Sequence, residues 1–204
     1  ETGARDNLSE EEKTLTEAAS VLGFHNYSAQ FLDAQIKRVS RRGKVTPPQL
    51  LRFTNTVELP DLSSSPCFIK LKEETGYDVE KLAVLGVLLG LGSNEEKAHL
   101  LFEQADPDAV SSVTPESFRH LLETIAYLSI ECLPLLAHMS PSVKLYCEQA
   151  SRGESSAVEK TVLSVCGGRH LSQEAFTQGL LRNQDWLRPS TTREVCRKMS
   201  FLLK

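Results

Sequence analysis

Four short segments of the chain repeat one pattern: an apolar residue, then Thr, Asp or Ser, and a second apolar residue four positions after that polar one. They are VTPPQLL from Val45, YDVEKLA from Tyr77, VTPESFR from Val113 and LSQEAFT from Leu171. The side-chain oxygen of the polar residue can accept a hydrogen bond from a free backbone N–H at a helix start, and proline is tolerated at the first helical position. The pattern predicts that a helix begins in each segment, after a short extended stretch.

The remaining sequence predicts helices separated by short polar breaks, and therefore an all-α fold. Apolar residues recur at helical spacing along most of the chain, and ELPDLSSSP (58–66) and GLGSN (90–94) interrupt them. SRGESS (151–156) is rich in Gly and Ser and predicts a flexible link. A generic helical bundle or helical repeat whose turns use Thr-Pro caps is the alternative interpretation.

Each of the four segments also matches the second half of an EF-hand, a calcium-binding helix–loop–helix unit. In its twelve-residue loop, calcium takes six to eight oxygen ligands, and a bidentate carboxylate at the last position is among them. Here the last positions hold Gln49, Lys81, Ser117 and Ala175, so none of the four loops has that carboxylate. The sequence predicts that the helix–loop–helix frame is kept and that its calcium chemistry is lost.

Basic residues occupy ligand positions of the first two loops. Arg38 and Arg42 stand at the first and fifth positions of the first loop, and Lys70 and Lys72 at the first and third positions of the second. At about 5 Å and an effective dielectric constant near 20, each such charge costs a cation about 3 kcal/mol per unit of ion charge. We therefore expect neither loop to bind a metal ion.

The third loop retains two acids in ligand positions, Asp106 and Asp108. Val110 and Ser111 follow them where further oxygen ligands would be needed, and the fourth loop offers nothing that holds a hard cation. We predict that Asp106 and Asp108 are vestigial, and that the chain has neither a metal site nor a cofactor. The alternative is a weak calcium sensor that uses only the third loop.

Taken together, the four half-motifs resemble the calcineurin-B-like branch of the EF-hand superfamily over nearly the whole chain. More narrowly, YDVEKLAVLGVLLGLGSNEEKAHLLFEQAD (77–106) and LSQEAFTQGLLRNQDW (171–186) are similar to the N-terminal module of TLDc-domain proteins, although 204 residues leave no room for a TLDc domain itself. The first resemblance implies a two-lobed regulator that holds a partner's amphipathic helix in an apolar groove. The second implies a cytoplasmic protein that associates with vacuolar proton pump subunits and with lysosomal signalling at the lysosomal membrane surface.

The expected architecture is all-α and EF-hand-like, with two lobes that each contain two paired helix–loop–helix hands and short loop strands. The first lobe is predicted over residues 1–92 and the second over residues 93–204. The second lobe carries an insertion near residues 130–157 and a C-terminal helix. That helix is expected either to pack on its own core or to plug the groove.

The helices carry more apolar residues than a single buried face requires, which is typical of a groove that binds a partner helix or a neighbouring domain. The predicted partner-binding residues are Leu85, Leu88, Leu89, Leu91, Leu122, Ile125, Leu128, Trp186, Met199 and Leu202. The alternative is that these residues are simply core. Because a loop without calcium fixes its interhelical angle by packing alone, the groove is expected to be permanently open or permanently covered.

Composition and motifs argue against several other functions. The net charge of −4 does not favour nucleic acid, and no apolar run is long enough to cross a bilayer, so any membrane contact is expected to be indirect. Five widely spaced cysteines lack metal-ligand spacing and predict reduced thiols. No phosphate loop, dinucleotide fingerprint or nucleophile elbow occurs. The predicted function is a non-catalytic, calcium-independent adaptor or regulatory module; the alternative is a purely structural helical domain of a larger chain.

Overall fold

A computed structural model describes residues 7–203 of the chain, and within them the fold is almost entirely helical. The all-α prediction is confirmed at this level. The ten α-helices are α1 Glu10–Ala19, α2 Ala29–Val39, α3 Pro47–Val57, α4 Pro66–Leu71, α5 Val79–Leu89, α6 Asn94–Ala105, α7 Pro115–Tyr127, α8 Pro141–Cys166, α9 Gln173–Arg182 and α10 Pro189–Leu202. The strands are β1 Lys44–Val45, β2 Lys72–Glu73, β3 Gly76–Asp78, β4 Ser112–Val113 and β5 Leu171–Ser172.

A helix begins in each of the four repeated segments, as predicted. The side chains of Asp78, Thr114 and Ser172 each accept a hydrogen bond from the backbone N–H three residues later, at 3.1, 3.1 and 3.2 Å. At Thr46 the backbone N–H donates to Gln49 Oε1 at 2.8 Å. These local bonds satisfy backbone groups that have no partner inside the helix, and they set where α3, α5, α7 and α9 start.

The extended residues before these helices pair in two antiparallel sheets. The first sheet has the strand order β1–β3–β2 and places Val45 opposite Tyr77. The second consists of β4 and β5 and places Val113 opposite Leu171. The first repeated segment is therefore paired with the second, and the third with the fourth. The strand pairs thus bring the start of α3 beside the start of α5, and the start of α7 beside the start of α9.

One main apolar core extends across the predicted lobe boundary at residues 92 and 93. Buried residues from both sides of that boundary belong to the same cluster. The helix α5 is enclosed nearly all round, because it contacts α2, α6 and α7. In the second half, the ring of Phe176 makes edge-on contacts with Phe102 and Phe118, at centroid distances of 5.3 and 5.5 Å.

The prediction of a flexible link at residues 151–156 is wrong. The segment lies inside α8, which runs without interruption from Pro141 to Cys166. Gly153 is buried there because α10 crosses at that point, and a Cβ atom on it would overlap the backbone of Cys196. The predicted insertion near residues 130–157 consists of a π-helical turn at Leu128–Cys132, a 3₁₀ turn at Leu133–Leu136 and the first part of α8.

None of the helices found between residues 7 and 203 is both long enough and apolar enough to cross a membrane.

Candidate functional site

The first loop is closed by its own backbone. Arg41 N–H donates to Lys44 O at 2.8 Å, and Lys44 N–H donates to Arg41 O at 3.0 Å. The two residues between them, Arg42 and Gly43, have φ angles of 51° and 74°, the left-handed backbone that a tight two-residue hairpin turn requires. The turn folds on itself and presents exposed guanidinium groups, so it offers no site for a cation.

The second loop is a hairpin between β2 and β3, in which Lys72 faces Tyr77 and Glu73 faces Gly76. The Glu73 carboxylate is paired with the ammonium groups of Lys44 and Lys81, and the hydrogen bond from Lys44 holds its pKa below the usual range. Gly76 allows β3 to approach β1 closely, because a Cβ on it would lie 2.5 Å from the Val45 carbonyl oxygen. Glu73 is therefore already neutralised by the chain's own lysines, while Glu74, at the fifth loop position, is exposed.

The third loop is organised around the carboxylate of Asp106, which is 8% exposed. Its Oδ1 accepts a hydrogen bond from Val110 N–H at 3.0 Å, and its Oδ2 accepts one from Ser111 N–H at 2.7 Å. Asp108 is exposed, and the residue at the last loop position, Ser117, bonds to Thr114 through its hydroxyl and its backbone N–H. Both Asp106 oxygens are thus occupied by the loop backbone, which gives the carboxylate a structural role.

The fourth loop is shortened by the helix that precedes it. The α8 helix continues to Cys166 and ends at Gly167, whose φ of 52° is left-handed. Gly168 follows at a φ of 77°, and Arg169 N–H closes the turn on Cys166 O at 2.9 Å. Helical backbone thus occupies the positions that would begin a calcium loop.

Taken over residues 7–203, no group of three or more His, Cys, Asp or Glu side chains is placed to hold a metal ion. All five cysteines are buried free thiols. Burial raises the pKa of Cys67 and of Cys196 to about 12, and the pKa of Cys132 to about 11. Because the thiolate is the reactive form, these side chains behave as small apolar core residues.

The ten predicted partner-binding residues lie in three different environments. Leu89 and Met199 are partly buried against the main core, and Leu91 and Leu202 are 57% and 71% exposed. The other six are buried in the main core: Leu85, Leu88, Leu122, Ile125, Leu128 and Trp186. In this structure the apolar surplus on α5 and α7 packs helices of the chain against one another, so the ten residues do not share one continuous surface.

Leu91 is exposed, and its backbone contacts the segment that carries the half-buried Tyr27 and the exposed Phe31. The rings of Tyr27 and Phe31 are stacked with centroids 5.8 Å apart. Leu91 N–H donates to Tyr27 O at 2.8 Å, and Ala29 N–H donates to Leu91 O at 2.7 Å. These bonds hold the connection between α5 and α6 against the start of α2.

A buried ion pair that no sequence pattern predicted joins α1 to α10. Arg193 Nε and Nη2 donate to Glu12 Oε1 and Oε2, both at 2.8 Å, and the two side chains are 2% and 3% exposed. The third arm of the guanidinium, Nη1, donates to Ser129 O at 2.8 Å, in the π-helical turn. This forked geometry is the strongest form of a carboxylate–guanidinium contact, and it attaches α1 to the second half of the chain.

Around this pair, α1 docks on a small apolar cluster that is separate from the main core. We call the cluster, formed by Leu15 of α1 with Val143, Tyr146 and Cys147 of α8, the α1 contact. Burial raises the pKa of Tyr146, and the neighbouring carboxylates of Glu12 and Glu194 raise it further. The phenol therefore stays neutral, and its OH donates to Glu194 Oε2 at 3.0 Å.

No protein-family model matches this chain, and no curated protein matches it either.

Proposed function

We propose that this protein is a non-catalytic, calcium-independent EF-hand-like module that binds a partner protein. The observation that carries the proposal is the pairing of loop residues two by two, Val45 with Tyr77 and Val113 with Leu171. Two pairs of helix–loop–helix units joined through short loop strands are what an EF-hand protein of the calcineurin-B-like kind requires. The pairing supports the four-hand interpretation of the repeated segments.

The loops support a function without calcium, because each reaches its conformation with groups of its own. The first closes through the Arg41–Lys44 hairpin, and the third through the two bonds that the Asp106 carboxylate accepts. An EF-hand sensor changes its interhelical angle when calcium binds. A module whose loops are held by internal bonds keeps one angle, so its affinity for a partner does not depend on calcium.

The cellular context that we propose is the one implied by the TLDc-like segments 77–106 and 171–186, namely the cytoplasmic side of the lysosomal membrane and the vacuolar proton pump. A regulatory module of this kind acts by holding a helix or a neighbouring domain of its partner. It needs no cofactor for that purpose.

Binding of the purified chain to the cytosolic subunits of the vacuolar proton pump, one subunit at a time, tests this function. Biolayer interferometry in excess chelator and again in millimolar calcium measures the two affinities. We expect one subunit to bind with the same Kd in both buffers. Binding that requires calcium would overturn the calcium-independent mechanism. Absence of binding to every cytosolic subunit would overturn the proposed context.

A further inference from the structure

The helix α1 buries few of its own residues against the rest of the molecule. Of its ten residues, only Glu12 and Leu15 are buried. Leu15 packs on Val143, Tyr146 and Cys147, in a cluster that contains no residue of the main core. Ala19, the last residue of α1, is partly buried against the main core. A ten-residue helix is also too short to be stable alone in water, so α1 depends on this docking for its conformation.

The chain directly after α1 is anchored independently. Leu22 and Phe24 are each 1% exposed and belong to the main core. The ring of Phe24 makes edge-on contacts with Phe53 and Phe68. Between the two anchors, Gly23 has a φ of 75°, a left-handed conformation that separates two short 3₁₀ turns. Leu22 and Phe24 therefore hold the helices that follow in the main core independently of the contacts that Glu12 and Leu15 make.

The surface beneath α1 has a definite chemical preference. Two donor positions of the Arg193 guanidinium point at the Glu12 carboxylate and would lose their partner if α1 left. Beside them lies the hydroxyl of Ser129, which is buried and has no partner among the described residues. Departure of α1 would expose these donors, and a carboxylate is the partner that the forked guanidinium binds most strongly. The surface left by α1 thus combines the Arg193 guanidinium with an adjacent apolar pocket for one leucine-sized side chain.

We infer that this surface is a binding site for an acidic amphipathic helix of a partner protein, with the pattern Glu-x-x-Leu, and that α1 occupies it as a built-in substitute. A carboxylate and a leucine three residues apart lie on one helical face, as Glu12 and Leu15 do. The remaining acids of α1, such as Glu10 and Glu17, face solvent and add negative charge near the site. This inference rests on the proposed partner-binding function and specifies one partner chemistry for it.

A labelled peptide of residues 7–20 tests the site, with fluorescence anisotropy measured against the full chain. In the Glu12→Gln chain the built-in helix is held more weakly, so the site is open for a larger fraction of the time. We expect this chain to bind the peptide at least about ten-fold more tightly than the wild-type chain does, because apparent affinity scales with the open fraction. The Glu17→Gln chain is the matched control, since Glu17 is exposed, and it should bind like wild type.

The same titration with a Glu12→Gln peptide should lose at least about ten-fold in affinity for the Glu12→Gln chain, because the forked bond to Arg193 is missing. Equal binding of the peptide by the Glu12→Gln and Glu17→Gln chains would overturn the inference. So would a dimer of the Glu12→Gln chain that forms in the absence of peptide, because the site would then belong to a second copy of this chain.

Hydrogen exchange of the wild-type chain provides a test that does not depend on any variant. We expect the amides of α1 to exchange through a local opening, at least about ten-fold faster than those of α8 around Gly153. If α1 and α8 exchange only together, in global unfolding, then α1 is a permanent part of the fold and the inference is wrong. That result would leave the proposed function standing, since calcium-independent binding to another surface is measured separately.

Discussion

A Cβ atom placed on Gly153 of α8 would lie 1.7 Å from the carbonyl oxygen of Cys196 in α10 and 2.7 Å from the backbone nitrogen of Ser200. Both obstacles are helical backbone, which cannot turn aside as a flexible side chain can. The two helices therefore cross at a point that only glycine can occupy, and this crossing holds α10 in place.

Gly153→Ala should separate these helices and lower the free energy of unfolding by about 3 kcal/mol or more, at the upper end of the cost of overpacking. Urea denaturation followed by circular dichroism measures the change. Ser155→Ala, at an exposed position of the same helix, is the matched control and should stay within about 0.5 kcal/mol of wild type. Equal stability of the two variants would contradict the close crossing of α8 and α10.

Ile125→Asp distinguishes a core residue from a groove residue. Ile125 is 0% exposed in α7, and burying a carboxylate there without a partner costs several kcal/mol, a large share of the roughly 5–15 kcal/mol that stabilises a domain. We expect the variant to lose its cooperative thermal transition. Leu202→Asp, at a position that is 71% exposed, should unfold like wild type. A folded Ile125→Asp chain that fails only in partner binding would instead assign Ile125 to an open groove.

The two acids of the third loop should differ in their contribution to stability. Asp106→Ala leaves the N–H groups of Val110 and Ser111 without their acceptor, and we expect a loss of about 1–3 kcal/mol in the free energy of unfolding. Asp108→Ala removes an exposed side chain and should change it by less than about 0.5 kcal/mol. Chemical denaturation without added metal measures both. Similar losses in the two variants would contradict the structural role of Asp106.

Lys97 gives a pH-dependent prediction. Lys97 is 7% exposed, and its ammonium donates to Leu88 O at 3.2 Å, across the connection between α5 and α6. Burial, with a smaller effect of Arg188, lowers its pKa from the usual 10.5 to about 8. Between pH 8 and 10.5 the unfolded chain therefore binds more protons at this group than the folded chain does, so its contribution to stability rises with pH.

The measurement is the difference in the free energy of unfolding between wild type and Lys97→Met, because the buried thiols titrate in the same range and their effects cancel in that difference. As the pH rises through this window, the free energy of unfolding of wild type should increase by roughly 3 kcal/mol relative to that of the variant. This is the equivalent of a shift of about 2.5 pKa units. Below pH 8 the difference should be constant. A difference that stays flat up to pH 10.5 would contradict a buried, destabilised ammonium.

The local features of the fold could be predicted from the sequence because their partners are close in the chain. An N-cap such as Asp78 bonds to a backbone group three residues away, so the repeated pattern was sufficient to locate four helix starts. The short helix α4 was not predicted, because the Pro and Ser residues before Cys67 suggested a continuous loop. Pro66 in fact stands at the first helical position, where proline is favoured.

Features that depend on distant partners could not be predicted. The local sequence around Gly153 is compatible with a flexible link and with a helix crossing. Only the packing of Cys196 against Gly153 shows that it lies at a crossing. Glu12 is one of three consecutive glutamates, and nothing local distinguishes it from Glu10 and Glu11; its partner Arg193 is 181 positions away. The apolar surplus around Leu88 suggested a groove, whereas in the structure the helices around α5 cover it.

The most direct test of the central claim is calorimetric titration of calcium into the purified chain, which asks whether paired loops of this kind hold the ion. We expect no heat beyond dilution up to millimolar calcium, because groups of three of the loops already bond within the chain. These contacts are the Arg41–Lys44 hairpin, the pairing of Glu73 with lysine and the bonds that Asp106 accepts. Saturable binding with a Kd below millimolar, lost in Asp106→Ala, would contradict the account.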